Sequence, residues 1–238
     1  MKNEDILIDI IHKFYDKIQT EDFIIDKSGV KTVELICKKI KLNPSQPYLN
    51  FNDIRKTPIK YVKKELKWYL SQNLSITGYV DDIQIWNNVC TKDNKKEVNS
   101  NYGWAIYSKE NYNQYNFALN ELLKNKYSRR ACMIYNRPSM TIDYNRNQMS
   151  DYICTFDTQQ FIRNNQLIYI VNMRSNDFYS GFFSDFPWHC YVYNNLFNDL
   201  KQTYKDLNIG EIIWISNSLH VYERNFDTIK NICLNYKK

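Results

Sequence analysis

One cysteine and one arginine raise the first chemical question. Cys154 stands in the strand-like run "MSDYICTFDTQQFI", and Arg174 follows it by twenty residues inside "VNMRSND". The turn residues "RNNQ" separate two apolar runs between them, so the stretch reads as a β-hairpin whose outer ends meet. A thiol acts as a nucleophile in its thiolate form, which a neighbouring cation favours; a cysteine in such a run also serves simply as a small buried side chain. Arg174 with Ser175, and Ser128 with Arg129 and Arg130, are short clusters of planar forks and hydroxyls of the kind that hold a phosphate. For the second cluster, solvated surface charge is the plainer role.

Other candidates are carboxyls and a histidine. Glu65 lies three after Val62 and four before Tyr69, beside the apolar stripe of a helix. Partial burial there raises a carboxyl pKa towards neutrality, which suits proton transfer at a heterocycle. Asp185, in "SDFPW", reads as a helix N-cap with proline at the second helical position. His220 and Tyr222 in "SLHVY" fall on one face of a strand, where they bind a sugar hydroxyl or merely pack. His12 and His189 have no partner pattern. The six cysteines carry neither a CxxC pair nor a nearby His cluster, which argues against a zinc site or a disulfide framework and suits a reducing cytoplasm.

These residues need elements to hold them. Leu7, Ile11, Phe14 and Ile18 recur at helical spacing, "KTVELICKKIKL" over 31–42 reads as a strand, and Thr57-Pro58 reads as an N-cap and first-turn proline. Ile59, Val62, Leu66 and Tyr69 continue that helix, and Tyr112, Tyr115, Leu119 and Leu122 mark another that ends near "YSRR". Strands follow at "ACMIYN", "YICTFDTQQFI" and "LIYIVNM". After "SDFPW" comes a helix with Tyr193, Leu196, Phe197, Leu200 and Tyr204 on one face, and Gly210 precedes a last strand, "EIIWIS". Helices alternating irregularly with antiparallel-type strands predict an α+β fold.

Composition narrows the classes. The 238 residues, with 43% hydrophobic and 16% aromatic, predict one folded domain over 1–238, without linker or repeat. The net charge of +6 is scattered among acids, which argues against a DNA-binding face and favours small anions such as nucleotides. The start "MKNEDILIDI" is not a signal peptide, and no run approaches a transmembrane span.

The order of six motifs is more specific than any one of them. "ELKWYL", "SNYGWAIYS", "SRRACMIYNRP", "YIC" with "RSND", "GFFSDF" and "HVY" resemble the successive motifs of the thymidylate synthase superfamily, over about residues 22–226. "DKSGVKT", "MIYNRPSM", "MSDYIC" and "SLHVY" look like its branch of bacteriophage deoxycytidylate (dCMP) hydroxymethylases. Asp185 stands where thymidylate synthases carry Asn. An amide pairs with uracil N3–H and O4, whereas a carboxylate accepts from the cytosine 4-amino group and a proton shared with N3 completes the pair. An ionised Asp facing uracil O4 opposes two acceptors, at a cost of about 1–3 kcal/mol.

The resemblance implies a thymidylate synthase-like α+β fold, with a mixed or antiparallel sheet at a homodimer interface flanked by helices. It implies transfer of the one-carbon unit of 5,10-methylenetetrahydrofolate to C5 of dCMP, with no metal. Cys154 is then the nucleophile, Glu65 orders and activates water, and Asp185 reads the base. Arg174, Ser175 and Lys27 bind phosphate in one subunit, with Arg129 and Arg130 reaching it from the other. His220 and Tyr222 hold the 3′-hydroxyl, Tyr102 lies near the thiol, and Asp177 and Trp86 contact the folate. Thymidylate synthase, a deoxyuridylate (dUMP) hydroxymethylase and a CMP-specific hydroxymethylase are the alternatives, and a nucleic-acid-binding protein is the non-enzymatic one. Thr155, Asn87 and Ser218 depart from the synthase pattern, which has His, Asp and Asp there. Action in the cytoplasm of a host cell, without membrane or direct nucleic-acid contact, completes the expectation.

Overall fold

A computed structural model describes residues 2–26 and 29–236. Lys27, expected near the phosphate, lies outside the described residues. In chain order the elements are α1 (Asn3–Gln19), β1 (Ile24–Ile25), β2 (Lys31–Leu42), β3 (Asn50–Phe51), β4 (Arg55–Lys56), α2 (Ile59–Ser71), α3 (Gln84–Val89) and α4 (Tyr102–Tyr107). There follow α5 (Gln114–Lys124), β5 (Cys132–Ile134), α6 (Met140–Asp143), β6 (Thr155–Arg163), β7 (Gln166–Met173), β8 (Asn176–Asp177), α7 (Gly181–Thr203), β9 (Asn208–Tyr222) and α8 (Phe226–Asn235).

Seven strands form one mixed sheet in the order β1-β2-β9-β7-β6-β5, with β8 also pairing β9. Strand β9 runs antiparallel to β2 and parallel to β7 and β8. One face of the sheet buries Leu167, Tyr169, Val171, Ile212 and Trp214, where α5 and α7 pack across β6 and β7 and α1 packs on β2. Trp68, Trp214 and the Phe178-Phe182-Phe183-Phe186 group fill the space between, each aromatic side chain burying on the order of 150–250 Å². On the opposite face Phe161, Ile168, Ile170, Ile213 and Ile215 are only half-buried.

Several local readings need correction. Thr57 does not cap α2: its hydroxyl accepts from Leu49 N–H at 3.0 Å, and Pro58 takes the N-cap position. Tyr112 precedes α5 and is 90% exposed, because the chain turns there with positive φ. The last strand contains Gly210 instead of starting after it. A bulge between Leu167 and Tyr169 lets β9 continue, and a Cβ at Gly210 would lie 2.2 Å from the Leu167 carbonyl oxygen.

The site depends on a kink in the two longest strands. Core-facing positions are even in the lower part of β2 and β9 (Ile40, Leu42, Ile212, Trp214) and odd beyond Cys37 and Asn217 (Val33, Leu35, Leu219, Val221). Cys37 has φ 52° at this point. The switch turns Glu34, Ser218, His220 and Tyr222 away from the core face together.

Candidate active site

The hairpin forms as expected and joins its ends. Asn164 and Asn165, with φ 49° and 55°, make the two-residue left-handed turn that matches strand twist, and pairing runs from Arg163↔Gln166 to Thr155↔Met173. Arg174 N–H then donates to the Cys154 carbonyl at 2.9 Å, and Arg174 Nη2 lies 3.7 Å from Cys154 Sγ. Cys154 itself precedes β6 by one residue, so it is not a strand residue. A bulge between Thr155 and Asp157 breaks the ladder there and frees the thiol to face inward. Arg174 also donates from Nε to the Ile153 carbonyl (2.8 Å) and from Nη2 to that of Tyr152 (2.6 Å), and it covers the Tyr152 ring. The segment before the thiol is clamped by Asp151, whose carboxylate accepts from Asn99 N–H, Ser100 N–H and the Ser100 hydroxyl, each at 2.7 Å.

Cys154 opens into a cavity of about 490 Å³ that also exposes Glu65, Trp86, Tyr102, Asp151 and Asp185. Glu65 comes from the buried stripe of α2 and accepts from Tyr61 Oη, which in turn accepts from Trp86 Nε1 at 3.1 Å. Burial pushes the Glu65 carboxyl up to about 8, Tyr61 pulls it down, and Asp185 pushes it further up. Asp185 is the fifth residue of α7 and not its N-cap: the helix begins at Gly181, where Asp177 Oδ1 accepts from Tyr179 N–H and Ser180 N–H. The N-cap position falls to Ser180, which makes no side-chain cap bond, and the Asp185 side chain is left to the cavity. Burial raises Asp185 to about 7, against the help of hydrogen bonds from Tyr102 and from Asn176 Nδ2, the latter at 3.3 Å. Tyr102 is fully enclosed, stacked 5.2 Å from Tyr69, on a helix that Gly103 lets approach: a Cβ there would sit 1.9 Å from the Tyr69 carbonyl oxygen.

A second group surrounds His220. Arg174-Ser175 fills the gap between β7 and β8, whose registers on β9, Met173↔Ser216 and Asn176↔Leu219, stay in step across it. Ser218 Oγ donates to Glu34, the cross-strand neighbour of His220, and lies 3.3 Å from His220 Nδ1. The serine has a single proton, already given to Glu34, so it receives Nδ1–H and leaves His220 Nε2 as an acceptor. Burial lowers the His220 pKa, keeping it neutral. Tyr222 packs edge-on to the ring at 5.1 Å, and Asp177 is the cross-strand partner of His220, with Arg224 3.7 Å from its Oδ2. Arg129 and Arg130 are exposed and line a separate surface pocket with Ser128 and Glu121, away from the thiol of this chain. Among the described residues no group of three His, Cys, Asp or Glu side chains could hold a metal ion.

Four residues were not singled out from sequence: Arg55, Tyr61, Asp151 and Glu34. Arg55 lines the cavity while donating to the Tyr179 carbonyl from Nε (3.0 Å) and Nη2 (2.7 Å). Tyr61 sits one helical turn before Glu65, a spacing that could have flagged it; the register of β2 on β9, which brings in Glu34, has no local signal.

Residues 8–237 match the sequence profile described as thymidylate synthase. The chain belongs to the thymidylate synthase family. It is 43% identical over 212 residues to the deoxycytidylate 5-hydroxymethyltransferase of Enterobacteria phage T4, covering 88% of this chain and 83% of that one, and equally to its counterpart from phage T6. To thymidylate synthase 1 of Bacillus subtilis it is 26% identical over 245 residues, covering 94% and 80%. The mixed sheet with flanking helices is the fold expected of this family. The three departures from the synthase pattern each have a local partner here. Thr155 donates to Met173 Sδ at 3.3 Å, Asn87 Nδ2 donates to the Asp81 carbonyl, and Ser218 borrows the carboxylate of Glu34.

Proposed function

We propose that this member of the thymidylate synthase family is a dCMP hydroxymethylase, converting dCMP to 5-hydroxymethyl-dCMP with release of tetrahydrofolate. The observation that carries the reading is Asp185, a carboxyl facing the cavity of the thiol with its pKa raised to about 7. A carboxyl that keeps its proton near neutrality donates O–H to cytosine N3 while its carbonyl oxygen accepts from the 4-amino group. Uracil O4 is a far weaker base than cytosine N3 and takes that proton poorly. The phage relatives, at 43% identity against 26% for the bacterial synthase, support the same choice.

Cys154 Sγ adds to C6, helped by Arg174 beside it and by the proton that Asp185 places at N3, which draws electrons from C6. C5 becomes the nucleophile. 5,10-Methylenetetrahydrofolate supplies the carbon at the oxidation level of formaldehyde. Trp86, Ile85 and Val89 give one wall of the cavity the flat apolar surface that a pterin ring fits. Asp177, assigned to the pterin by the resemblance, does not line that cavity and pairs with His220 across β8 and β9. After the C5 proton is lost, Glu65 in its ionised form, a minor fraction at neutral pH given its raised pKa, takes a proton from water as the oxygen bonds to the exocyclic methylene carbon. The C6–S bond then breaks as C5=C6 re-forms. Tyr61 orients Glu65, Tyr102 orients Asp185, and His220 Nε2 with Tyr222 accepts and donates at the 3′-hydroxyl.

Arg174 and Ser175 take the phosphate. Arg129 and Arg130 complete its site from a second subunit in a two-fold dimer built on the half-buried sheet face of Phe161, Ile170 and Ile215. Six cysteines without a disulfide and the phage origin of the 43%-identical relatives fit action in a host cytoplasm.

The test is mass spectrometry of products from equimolar dCMP and dUMP with methylenetetrahydrofolate, for the native chain and Cys154→Ser. Dominant 5-hydroxymethyl-dCMP, absent from the variant, is expected. Thymidylate or hydroxymethyl-dUMP as the main product would overturn the base assignment while sparing the thiol.

A further inference from the structure

Helices α2 and α7 pack against each other along a seam that has cavities on both sides. On one side, Tyr61, Glu65, Ser184 and Asp185 border the cavity of the thiol. On the other, Val62, Glu65, Leu66, Trp188 and Tyr191 border a second cavity of about 190 Å³, whose walls also include Tyr48, 48% exposed, and Asn194. Glu65, Tyr69 and Ser184 are common to both. The partition between the two spaces is therefore the proposed water-activating carboxylate itself, with a phenol and a hydroxyl beside it.

The proposed reaction consumes one water at the point where water is hardest to admit. A nucleotide and a folate together fill the cavity of the thiol and close its mouth. Apart from Glu65, none of the residues proposed to hold nucleotide or folate lines the second cavity, which holds room for several water molecules and offers them Glu65, Ser184, Asn194 and tyrosine hydroxyls as partners. We infer that this rear cavity is the water inlet of the enzyme, feeding Glu65 from behind while tetrahydrofolate still covers the nucleotide. The water oxygen bonds to the exocyclic methylene carbon, its proton passes to Glu65, the methylene π pair becomes the C5=C6 bond of the ring, and the C6–S bonding pair leaves with Cys154 sulfur as thiolate. No redox partner is needed. The inference rests on the hydroxymethylase reading above.

Leu66→Trp and Asn194→Phe each place a large side chain in the rear cavity, and neither residue touches the thiol cavity. Both variants and the native chain are given dCMP tritiated at C5, methylenetetrahydrofolate and a fixed concentration of 2-mercaptoethanol. Tritium release reports every step up to the methylene, and the ratio of thioether to hydroxymethyl product reports who captures it. With the inlet blocked, water arrives only after tetrahydrofolate departs. The thioether-to-hydroxymethyl ratio is then expected to rise about tenfold in both variants while tritium release per captured product stays unchanged. A native ratio in both variants overturns the inlet. Absence of tritium release from the native chain would instead sink the reaction, and the inlet with it.

Discussion

Glu65 and Asp185 are raised by the same cause, burial around one cavity, and the charge of Asp185 makes Glu65 harder still to ionise. From the ordinary carboxylate range up to about 8 for Glu65 and about 7 for Asp185, the folded chain holds protons that the unfolded chain has lost. Stability therefore falls as pH rises from about 5 to 8, by a few kcal/mol if both groups respond fully. Thermal unfolding of the ligand-free protein at the two ends of that range should show the drop, and Glu65→Gln should flatten part of it. Asp185→Asn replaces a proton-sharing carboxyl with an amide that suits uracil. Competition between dCMP and dUMP should then shift towards dUMP by about 10- to 100-fold in kcat/KM, the scale of one mispaired buried hydrogen bond. Glu34→Leu frees the Ser218 proton and releases the His220 tautomer. KM for dCMP should rise about tenfold with kcat little changed, and the ¹⁵N shifts of the ring should show mixed tautomers where the native chain shows Nδ1–H.

At the scale of elements, the turn that closes the β6–β7 hairpin carries two asparagines at positive φ, a conformation that costs most other residues about 1–2 kcal/mol. Asn164→Ala with Asn165→Ala should lower stability by that order in denaturant unfolding, and Asn165→Gly should raise it. Hydrophobic spacing made α1, β2 and this hairpin legible in the sequence, because each buries one regular face. The same logic failed at Thr57 and Asp185, where an N-cap residue type meets a partner elsewhere: Leu49 N–H for one, the cavity for the other. Strands of two residues such as β8 have no periodicity to read, yet β8 carries Asp177, which accepts from Tyr179 and Ser180 N–H in the turn before α7. Cys154, Glu65, Tyr102, Trp86 and Asp185 were legible as members of one site through motif order, and they line one cavity. Glu34 was not, since only the long register between β2 and β9 brings it to Ser218.

The molecule as a whole leaves one sheet face half-covered and two arginines far from the thiol of their own chain. Ile170→Asp puts a charge at the centre of that face. Sedimentation should show monomers, and activity should fall with the dimer. Mixing inactive Cys154→Ser with inactive Arg129→Ala/Arg130→Ala subunits should restore part of the activity, because mixed dimers regain one complete site. Failure of that rescue would remove the arginines from the shared phosphate site.

The pairing of Glu34 on β2 with His220 on β9 also has a temporal meaning. Cys154 and Arg174 meet across a tight local turn and can come together early, while the end proposed to hold the sugar waits for a strand made nearly two hundred residues after its partner. A growing chain that has not yet passed Tyr222 lacks the histidine proposed to hold the deoxyribose. A nucleotide held as proposed would fasten distant parts of the chain together, and substrate itself would become a brace against late-stage unfolding.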